Sequence, residues 1–316
     1  MAKGIYIGVG GKARKVKKAY IGVGGVARLF YSSSNWDGTF IEMTGTSTGS
    51  TTAYTLSAVA YGNDRFVAAG NSQNYCLYST NGTSWNKGSG ITSSIYAVCY
   101  GNGMFVAAGY RKYGYYSTDG VSWGSFNFPL SSSTTTVQGV TYGNNIFVAV
   151  CRDGEIHMSS DGITWEYITK LDATFTAITY GNGRFVAIGW AGSCYYSDDG
   201  RTWIKSDTGT TYDFNSITYG DGVFVAVGTD TIKYSTDGIT WKSSNTSASG
   251  YNIDCVTFGN GRFVAGGDGN EIFTSTDGGK TWIITQLVGN SLRDIAYGDD
   301  KFIGVCLYGK SFYALA

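Results

Sequence analysis

Apolar and polar residues alternate along this chain in short runs separated by turns rich in glycine, asparagine and aspartate. Short alternating runs of this kind are typical of β-strands rather than helices. In one example the runs Ala177–Tyr180 and Phe185–Ile188 flank the dipeptide Asn182-Gly183. Because Asn-Gly accepts the positive φ angles of a type I′ turn, the pattern predicts two antiparallel strands joined by a tight hairpin.

This strand pattern repeats at a nearly constant period. A Tyr-Gly or Phe-Gly pair marks each repeat, with its aromatic residue at Tyr61, Tyr100, Tyr142, Tyr180, Tyr219, Phe258 and Tyr297. Successive pairs are 39, 42, 38, 39, 39 and 39 residues apart. A tryptophan follows 22–24 residues after each of the first six, at Trp85, Trp123, Trp165, Trp203, Trp241 and Trp282. Four antiparallel strands per repeat of this length predict an all-β fold, a seven-bladed β-propeller.

The seventh repeat is incomplete, because its tryptophan would fall beyond Ala316. A spare Trp36, followed by Asp37–Thr44, precedes the first inner strand. We predict that residues 36–44 complete the last blade and close the ring, since open strand edges promote aggregation. The predicted domains are a β-hairpin-like N-terminal module at 1–31 and a propeller at 32–316.

Charge is balanced overall but unevenly distributed. The chain has 23 basic and 23 acidic residues, and residues 1–36 contain seven of the basic ones and no acid. The remainder therefore carries 16 positive and 23 negative charges, a net of −7. This asymmetry predicts a basic segment that attaches and a body that presents a surface, although a solvated hairpin without a partner is the alternative. The acidic body argues against nucleic-acid binding.

No run is long and apolar enough for a transmembrane helix, and the N-terminus lacks the apolar region of a secretion signal. We therefore expect neither membrane insertion nor secretion. The six cysteines include no Cys-x-x-Cys pair, and we expect them to be reduced and mostly buried.

The turn before each tryptophan resembles the Asp-box, or BNR, repeat of sialidase-type propellers. Ser275–Trp282, with the sequence STDGGKTW, matches the pattern Ser/Thr-x-Asp-x-Gly-x-Thr-Trp, whereas Ser235–Trp241 is one residue shorter. In such a turn we expect the aspartate to accept backbone N–H groups, the glycine to adopt positive φ, and the tryptophan to pack between blades. The resemblance implies the fold but no activity.

Residues 5–14, IYIGVGGKAR, are echoed fourteen residues later by residues 19–28, AYIGVGGVAR. This duplicated segment resembles the N-terminal signature of virion proteins in phages and prophages of Gram-positive bacteria. The resemblance implies that residues 1–31 dock to a particle, that the protein is located in the virion after assembly in the bacterial cytoplasm, and that the propeller faces outward. It leaves open whether the particle part is a tail fibre, a baseplate or a capsid decoration. The expected docking residues are Tyr6, Lys12, Arg14, Lys15, Lys17, Lys18, Tyr20 and Arg28.

So small a sheet is marginal alone, and we expect it to add to a partner's sheet or to form a homo-oligomer. The run Gly8-x-Gly10-Gly11 is followed by no helix pattern, which argues against a dinucleotide loop.

The sequence gives little support for catalysis. His157 is the one histidine, and no serine or cysteine has a recognisable catalytic partner. Arg65, Arg184 and Arg262 resemble a sialidase arginine trio, but they occupy the same slot of different repeats, which favours a structural role. We therefore predict no enzyme, metal or cofactor. An unfamiliar glycosidase is an alternative, with Asp153, Glu155, Asp268 and Glu271 as its stray carboxylates.

The regular turns predict that ligands bind at the opposite face, where loops join the second and third strands. These loops differ between repeats and are rich in Tyr, Trp, Ser, Asn and Gly, a composition that suits recognition. The candidate ligand-binding residues are Tyr75, Tyr110, Arg111, Tyr113, Arg152, Trp190 and Tyr308. The sequence therefore predicts a non-enzymatic virion surface protein that binds a host-surface glycan or protein. A free lectin-like or scaffold propeller of a bacterium is a further alternative.

Overall fold

The computed structural model describes residues 55–70, 76–286 and 291–306 in full, together with the backbone of the strands at 6–9, 12–15, 18–23, 26–32, 41–42 and 311–315. Within these residues the fold is all-β apart from a short 3-10 turn at Trp190–Gly192. No described helix has the length and hydrophobicity needed to cross a membrane.

The N-terminal residues form five strands, namely β1 (Tyr6–Val9), β2 (Lys12–Lys15), β3 (Lys18–Val23), β4 (Val26–Ser32) and β5 (Ile41–Glu42). The pairs β1–β2 and β3–β4 are separate antiparallel hairpins. Each hairpin overlaps one copy of the duplicated sequence, 5–14 or 19–28, so the two copies form the same type of backbone structure.

Six blades each consist of four consecutive antiparallel strands. Blade 1 contains β6 (Leu56–Gly62), β7 (Arg65–Gly70), β8 (Cys76–Ser79) and β9 (Asn86–Lys87). Blade 2 contains β10 (Ile95–Gly101), β11 (Met104–Gly109), β12 (Tyr113–Ser117) and β13 (Gly124–Asn127). Blade 3 contains β14 (Val137–Gly143), β15 (Ile146–Cys151), β16 (Glu155–Ser159) and β17 (Glu166–Lys170). Blade 4 contains β18 (Phe175–Gly181), β19 (Arg184–Gly189), β20 (Cys194–Ser197) and β21 (Ile204–Lys205). Blade 5 contains β22 (Phe214–Gly220), β23 (Val223–Gly228), β24 (Thr231–Ser235) and β25 (Lys242–Ser243). Blade 6 contains β26 (Ile253–Gly259), β27 (Arg262–Gly267), β28 (Glu271–Ser275) and β29 (Ile283–Gln286).

A further four-stranded sheet combines the two ends of the chain. It contains β30 (Leu292–Gly298), β31 (Lys301–Cys306), β32 (Ser311–Leu315) and β5, in that order. Phe312 pairs with Glu42 and Tyr313 pairs with Ile41, and the rest of the predicted segment 36–44 lies outside the described residues. The prediction of an all-β propeller with four-stranded antiparallel blades is confirmed.

The Tyr-Gly pair of the repeat has a packing role between blades. A Cβ atom on Gly181 would lie 2.0 Å from Cγ of Tyr219, the aromatic residue of the next blade. Each glycine of the motif contacts the following aromatic ring in this way, and Gly298 contacts Tyr61. The inner strands of the composite sheet and of blade 1 therefore pack against each other and close the ring.

The predicted turn chemistry is confirmed. Asn182 and Gly183 have φ angles of 49° and 76°, as a type I′ turn requires. In the Asp box of blade 4, Oδ1 of Asp199 accepts the N–H groups of Arg201 and Thr202 at 2.8 and 2.7 Å. The hydrogen bond from Thr202 is the largest influence that lowers the pKa of Asp199, to about 2. Nε1 of Trp203 donates to the carbonyl of Gly200, which ties the ring to its own turn.

Candidate functional site

The two faces of the ring are built differently. The turn face, as we call it, consists of the turns between first and second strands and of the Asp boxes. Nη1 of Arg184 donates to the carbonyl of Asp237 in the Asp box of the next blade, at 2.7 Å. Arg65 makes the same contact with the carbonyl of Asp119, so the structural interpretation of these two arginines is confirmed.

The opposite face, which we call the loop face, has a constant backbone frame. The residue that follows each second strand donates its N–H to the carbonyl just before the first strand of the same blade. Five described blades share this bond, namely Tyr110 to Ser94, Arg152 to Thr136, Trp190 to Thr174, Thr229 to Asp213 and Asp268 to Asn252. The loops therefore leave the ring at equivalent points, and their side chains provide the differences between blades.

Four of the predicted ligand residues contribute two cation–π pairs to the loop-face surface of blades 2 to 4. The guanidinium carbon of Arg152 lies 4.7 Å from the ring centroid of Trp190, and that of Arg111 lies 4.8 Å from the ring of Tyr110. Half-buried Tyr96 interacts electrostatically with a member of each pair. Burial raises the pKa of Tyr96, Tyr110 raises it further, and Arg152 lowers it.

We call this surface, with Tyr113 and Tyr212, the aromatic arc. Trp190 is 41% exposed, and Tyr110, Tyr113 and Tyr212 are 40–51% exposed. Tyr75 and Tyr308 lie outside the described residues, as do the side chains of the predicted docking residues Tyr6, Lys12, Arg14, Lys15, Lys18, Tyr20 and Arg28 and all of Lys17.

The loop that carries Trp190 is held in a strained conformation. Ala191 has a φ angle of 53°, a region that costs a residue with a side chain about 1–2 kcal/mol. Its N–H donates to Oδ1 of Asp213 at 2.8 Å, and the N–H of Gly192 donates to the carbonyl of Tyr212 at 2.9 Å. The indole is thus presented by a loop that is already ordered, which reduces the entropy lost on binding.

A groove of about 800 Å³ lies beside Trp190 and is lined in addition by Asp153, Lys170, Asp172 and Lys205. Oδ2 of Asp153 accepts hydrogen bonds from Nζ of Lys170 at 2.8 Å and from Oγ1 of Thr135 at 2.7 Å. Partial burial raises the pKa of Asp153, but these two bonds outweigh it and hold the pKa below its ordinary value. The groove is therefore lined by an ion pair and an aromatic ring.

His157 is buried, not part of this surface. Both His157 and Glu155 are 0% exposed, and their Nε2 and Oε2 atoms are 3.1 Å apart. Burial is the main influence that lowers the pKa of His157. Ser131 donates to the Glu155 carboxylate from its backbone and its hydroxyl. Glu155 does not fit the role of an accessible stray carboxylate, because it is the first residue of strand β16 and is fully buried.

A second polar site, which the sequence analysis missed, lies at the loop-face end of the central channel. The channel has a volume of about 320 Å³ and is lined by residues of the inner strands. Nη1 of Arg293 lies 2.6 Å from Oδ2 of Asp254, and Nη2 lies 3.0 Å from Oδ1 of Asp268. Burial, followed by the charge of Asp268, raises the pKa of Asp254 to about 6. One sequence feature could have revealed this site. The second residue of the inner strand is charged in β26 (Asp254) and β30 (Arg293), whereas it is neutral in the other inner strands.

Asp294 occupies the seam between the composite sheet and blade 1. Its carboxylate accepts the N–H of Val59 at 2.7 Å and that of Ile295 at 2.8 Å. Burial raises the pKa of this carboxyl to about 7. Within the fully described ranges, no group of three or more His, Cys, Asp and Glu residues is arranged to hold a metal ion.

No protein-family model matches the sequence, and no curated protein matches it. Solved structures do resemble the fold. A streptogramin B lyase structure has a TM-score of 0.76 at 13% identity, covering 88% of this chain and 98% of the other. YCF48 from Cyanidioschyzon merolae has a TM-score of 0.67 at 17% identity, covering 87% and 98%. The computationally designed Ika8 protein has a TM-score of 0.60 at 11% identity, covering 84% and 97%. At these identities the likeness shows the propeller fold alone.

Proposed function

We propose that this protein is a non-enzymatic surface component of a phage or phage-like particle, and that its loop face recognises a glycan on the host surface. In this proposal the composite sheet is the seventh blade, and residues 1–31 dock to the particle. The observation that carries the recognition role is the aromatic arc, in which Arg152 packs on Trp190 and Arg111 packs on Tyr110.

The chemistry of the aromatic arc favours a sugar. Aromatic rings offer flat apolar faces, on which the C–H face of a sugar ring can stack. The neighbouring Lys170, Asp153 and Asp172 supply donors and acceptors for hydroxyl groups. A few polar groups beside an aromatic surface are characteristic of small-molecule sites.

The buried histidine supports the absence of acid–base catalysis that uses imidazole. A general base must reach the proton that it removes, whereas His157 and its partner Glu155 are both 0% exposed. One of the similar structures is named as a lyase, but it shares only the fold with this chain.

The docking role is supported by the N-terminal segment. Its two hairpins are two-stranded sheets, which are marginal in isolation. Its seven cations are accompanied by no acid among residues 1–36. A partner with an acidic surface and an open sheet edge, or further copies of the same segment, would satisfy both features. Removal of residues 1–31 is expected to abolish particle attachment while leaving glycan binding intact.

The test of recognition is binding of the fluorescently labelled full chain to whole Gram-positive cells and to purified cell-wall glycans. Trp190→Ala is expected to weaken saturable binding about ten-fold or more, since stacking on an aromatic anchor contributes about 1–2 kcal/mol. The matched control is Tyr167→Ala, which removes a ring that is 44% exposed on the outer strand β17.

Binding that is equal in wild type and Trp190→Ala would contradict the proposed role of the aromatic arc. Cells treated with protease separate the two ligand classes. Loss of binding after protease treatment, with no binding to purified glycans, would identify a protein ligand and overturn the glycan proposal.

A further inference from the structure

The groove beside Trp190 is the middle of three depressions that form a row along the loop face of blades 3 and 4. The first, of about 400 Å³, is lined by Ser132, Thr134, Thr135, Thr136, Arg152, Asp153 and Lys170. The third, of about 390 Å³, is lined by Ala191, Gly192, Ser193, Lys205, Ser206, Asp207, Thr208 and Thr210. We call the three together the rim groove.

The order of the depressions follows from their shared walls. Asp153 and Lys170 line both the first and the middle depression. Ala191, Ser193 and Lys205 line both the middle and the third depression. The first and third share no lining residue. The three depressions therefore follow one another in series, and a ligand that fills all of them must be elongated.

The charges along the rim groove balance. Its basic residues are Arg152, Lys170 and Lys205, and its acidic residues are Asp153, Asp172 and Asp207. Every depression has at least one member of each set, together with threonine hydroxyls in all three. Donors and acceptors in the same depression suit a ligand with many hydroxyl groups. They do not favour a polyanion, because every depression that contains a cation also contains an acid.

We propose that the rim groove binds an internal stretch of a linear, uncharged polysaccharide of at least three sugar units, one in each depression. This inference rests on the proposed glycan-binding function and specifies its ligand. Trp190 provides the stacking surface of the middle unit. Since the guanidinium of Arg152 lies 4.7 Å from the Trp190 ring centroid, one face of the indole is covered and the sugar uses the remaining surface.

Hydrogen bonds within the chain hold wall residues of the depressions. Thr135, in the first depression, donates to Asp153, which lines the first and the middle one. Thr208 donates from Oγ1 to the carbonyl of Gly192 at 2.9 Å within the third. These bonds fix wall residues in each of the three depressions. A preformed row predicts an affinity that grows with ligand length until the row is full.

The test is competition with binding of the full chain to whole cells. The probes are size-fractionated partial hydrolysates of an uncharged cell-wall polysaccharide, with one, two, three and four or more units, and a polyol-phosphate polymer as the anionic arm. We expect the three-unit fraction to compete about ten-fold or more better than the single unit. Fractions longer than three should add about two-fold or less, and affinity should change about two-fold or less between roughly 0.05 and 0.5 M salt.

Lys205→Ala removes the one cation of the third depression and should abolish the advantage of three units over two. Lys242→Ala, an exposed lysine on the outer strand of blade 5, is the control and should leave the length dependence unchanged.

Equal competition by all uncharged lengths would overturn the inference while leaving glycan recognition intact. Strong, salt-dependent competition by the polyol-phosphate polymer alone would also overturn it. No binding of the wild-type chain to cells or to any glycan would instead contradict the proposed function itself.

Discussion

The turn face and the loop face of this propeller share one repeated backbone but differ in how regular their hydrogen bonds and sequences are. On the turn face, the Asp boxes of blades 2 to 5 use the same bonds, as when Asp161 accepts the N–H groups of Ile163 and Thr164 just as Asp199 accepts those of Arg201 and Thr202. On the loop face, the shared bond ends at the first loop residue, and the remainder of each loop differs from blade to blade. Stability is therefore distributed over repeated turns, which leaves the loops free to vary.

Backbone strain separates the two faces as well. Positive φ on the turn face falls on Asn, Asp and Gly, such as Asn102 and Gly103, which tolerate it. On the loop face it falls on Gly154, Gly192 and Asp230 as well, but also on Arg111 and Ala191, which do not tolerate it. Strain that the local sequence does not relieve is typical of functional positions. The comparison predicts large stability effects in the repeated framework and small ones on the loop face.

The largest effect is expected when the framework loses a strand. Deletion of residues 1–46 removes β5 and exposes the edge of β32, whereas deletion of residues 1–31 keeps β5. The longer deletion should lower the melting temperature by roughly 10 °C or cause aggregation. Differential scanning calorimetry of both truncations provides the measurement, and equal melting temperatures would contradict a structural role for β5.

A methyl group in one blade seam should be the next most damaging change. Gly181→Ala places a Cβ 2.0 Å from the Tyr219 ring, and overpacking of this kind costs about 1–3 kcal/mol. The control is Gly183→Ala, which has no atom within 4 Å and only a φ of 76° to strain it, at about 1 kcal/mol. Urea unfolding compares the two, and a smaller loss for Gly181→Ala would contradict the packing role of the Tyr-Gly pair.

Asp294 tests the framework through pH. Because burial raises its pKa in the folded protein to about 7 from 3.8, the folded state binds the proton more tightly than the unfolded state. Its contribution to stability is therefore fully present below about pH 4 and is lost as the pH rises to about 7.

Asp294→Asn cannot titrate and should flatten this part of the curve of unfolding free energy against pH. Asp254 has a raised pKa of about 6 and will leave a residual slope. Denaturant unfolding from about pH 4 to 8 measures wild type and variant, and identical slopes in wild type and Asp294→Asn would refute the assignment.

The smallest effects contrast one residue from each face. Asp199→Ala leaves two backbone N–H groups of an Asp box without their acceptor and should cost about 1–2 kcal/mol. Trp190→Ala removes a half-exposed side chain and should change stability by about 0.5 kcal/mol or less, although the proposed function expects it to weaken glycan binding about ten-fold or more. Urea unfolding of both variants provides the measurement. A larger loss of unfolding free energy for Trp190→Ala than for Asp199→Ala would contradict the conclusion that the turn face, not the loop face, stabilises the fold.

The framework could be predicted from sequence because its bonds are local. Asn182 and Gly183 are adjacent, and Asp199 and Thr202 are three residues apart, so the sequence of each repeat is enough to predict its turns. The paired contacts of Arg152 with Trp190 and of Arg111 with Tyr110 required the fold, although the candidate residues themselves were recognisable by composition.

The contacts that the sequence could not predict depend on neighbours in other blades. Arg293 meets Asp254 across 39 positions, and Asp294 meets Val59 across 235. Glu155 was misjudged for the same reason, since its partner Ser131 lies in the link that precedes the blade. The partners of polar residues on inner strands are therefore known only once the fold shows which blades are adjacent.

The pairing of Ile41 and Glu42 with Tyr313 and Phe312 also sets an order of events on the ribosome. At roughly 5–20 residues per second, β5 emerges tens of seconds before its partner strand. Blades 1 to 6 can form in sequence during that time, but the composite sheet must wait for β32. Throughout this interval β5 can pair with the β32 of a neighbouring nascent chain, and the product would be a domain-swapped oligomer. Slow initiation, which spaces the ribosomes on the message, would therefore favour the closed monomeric ring.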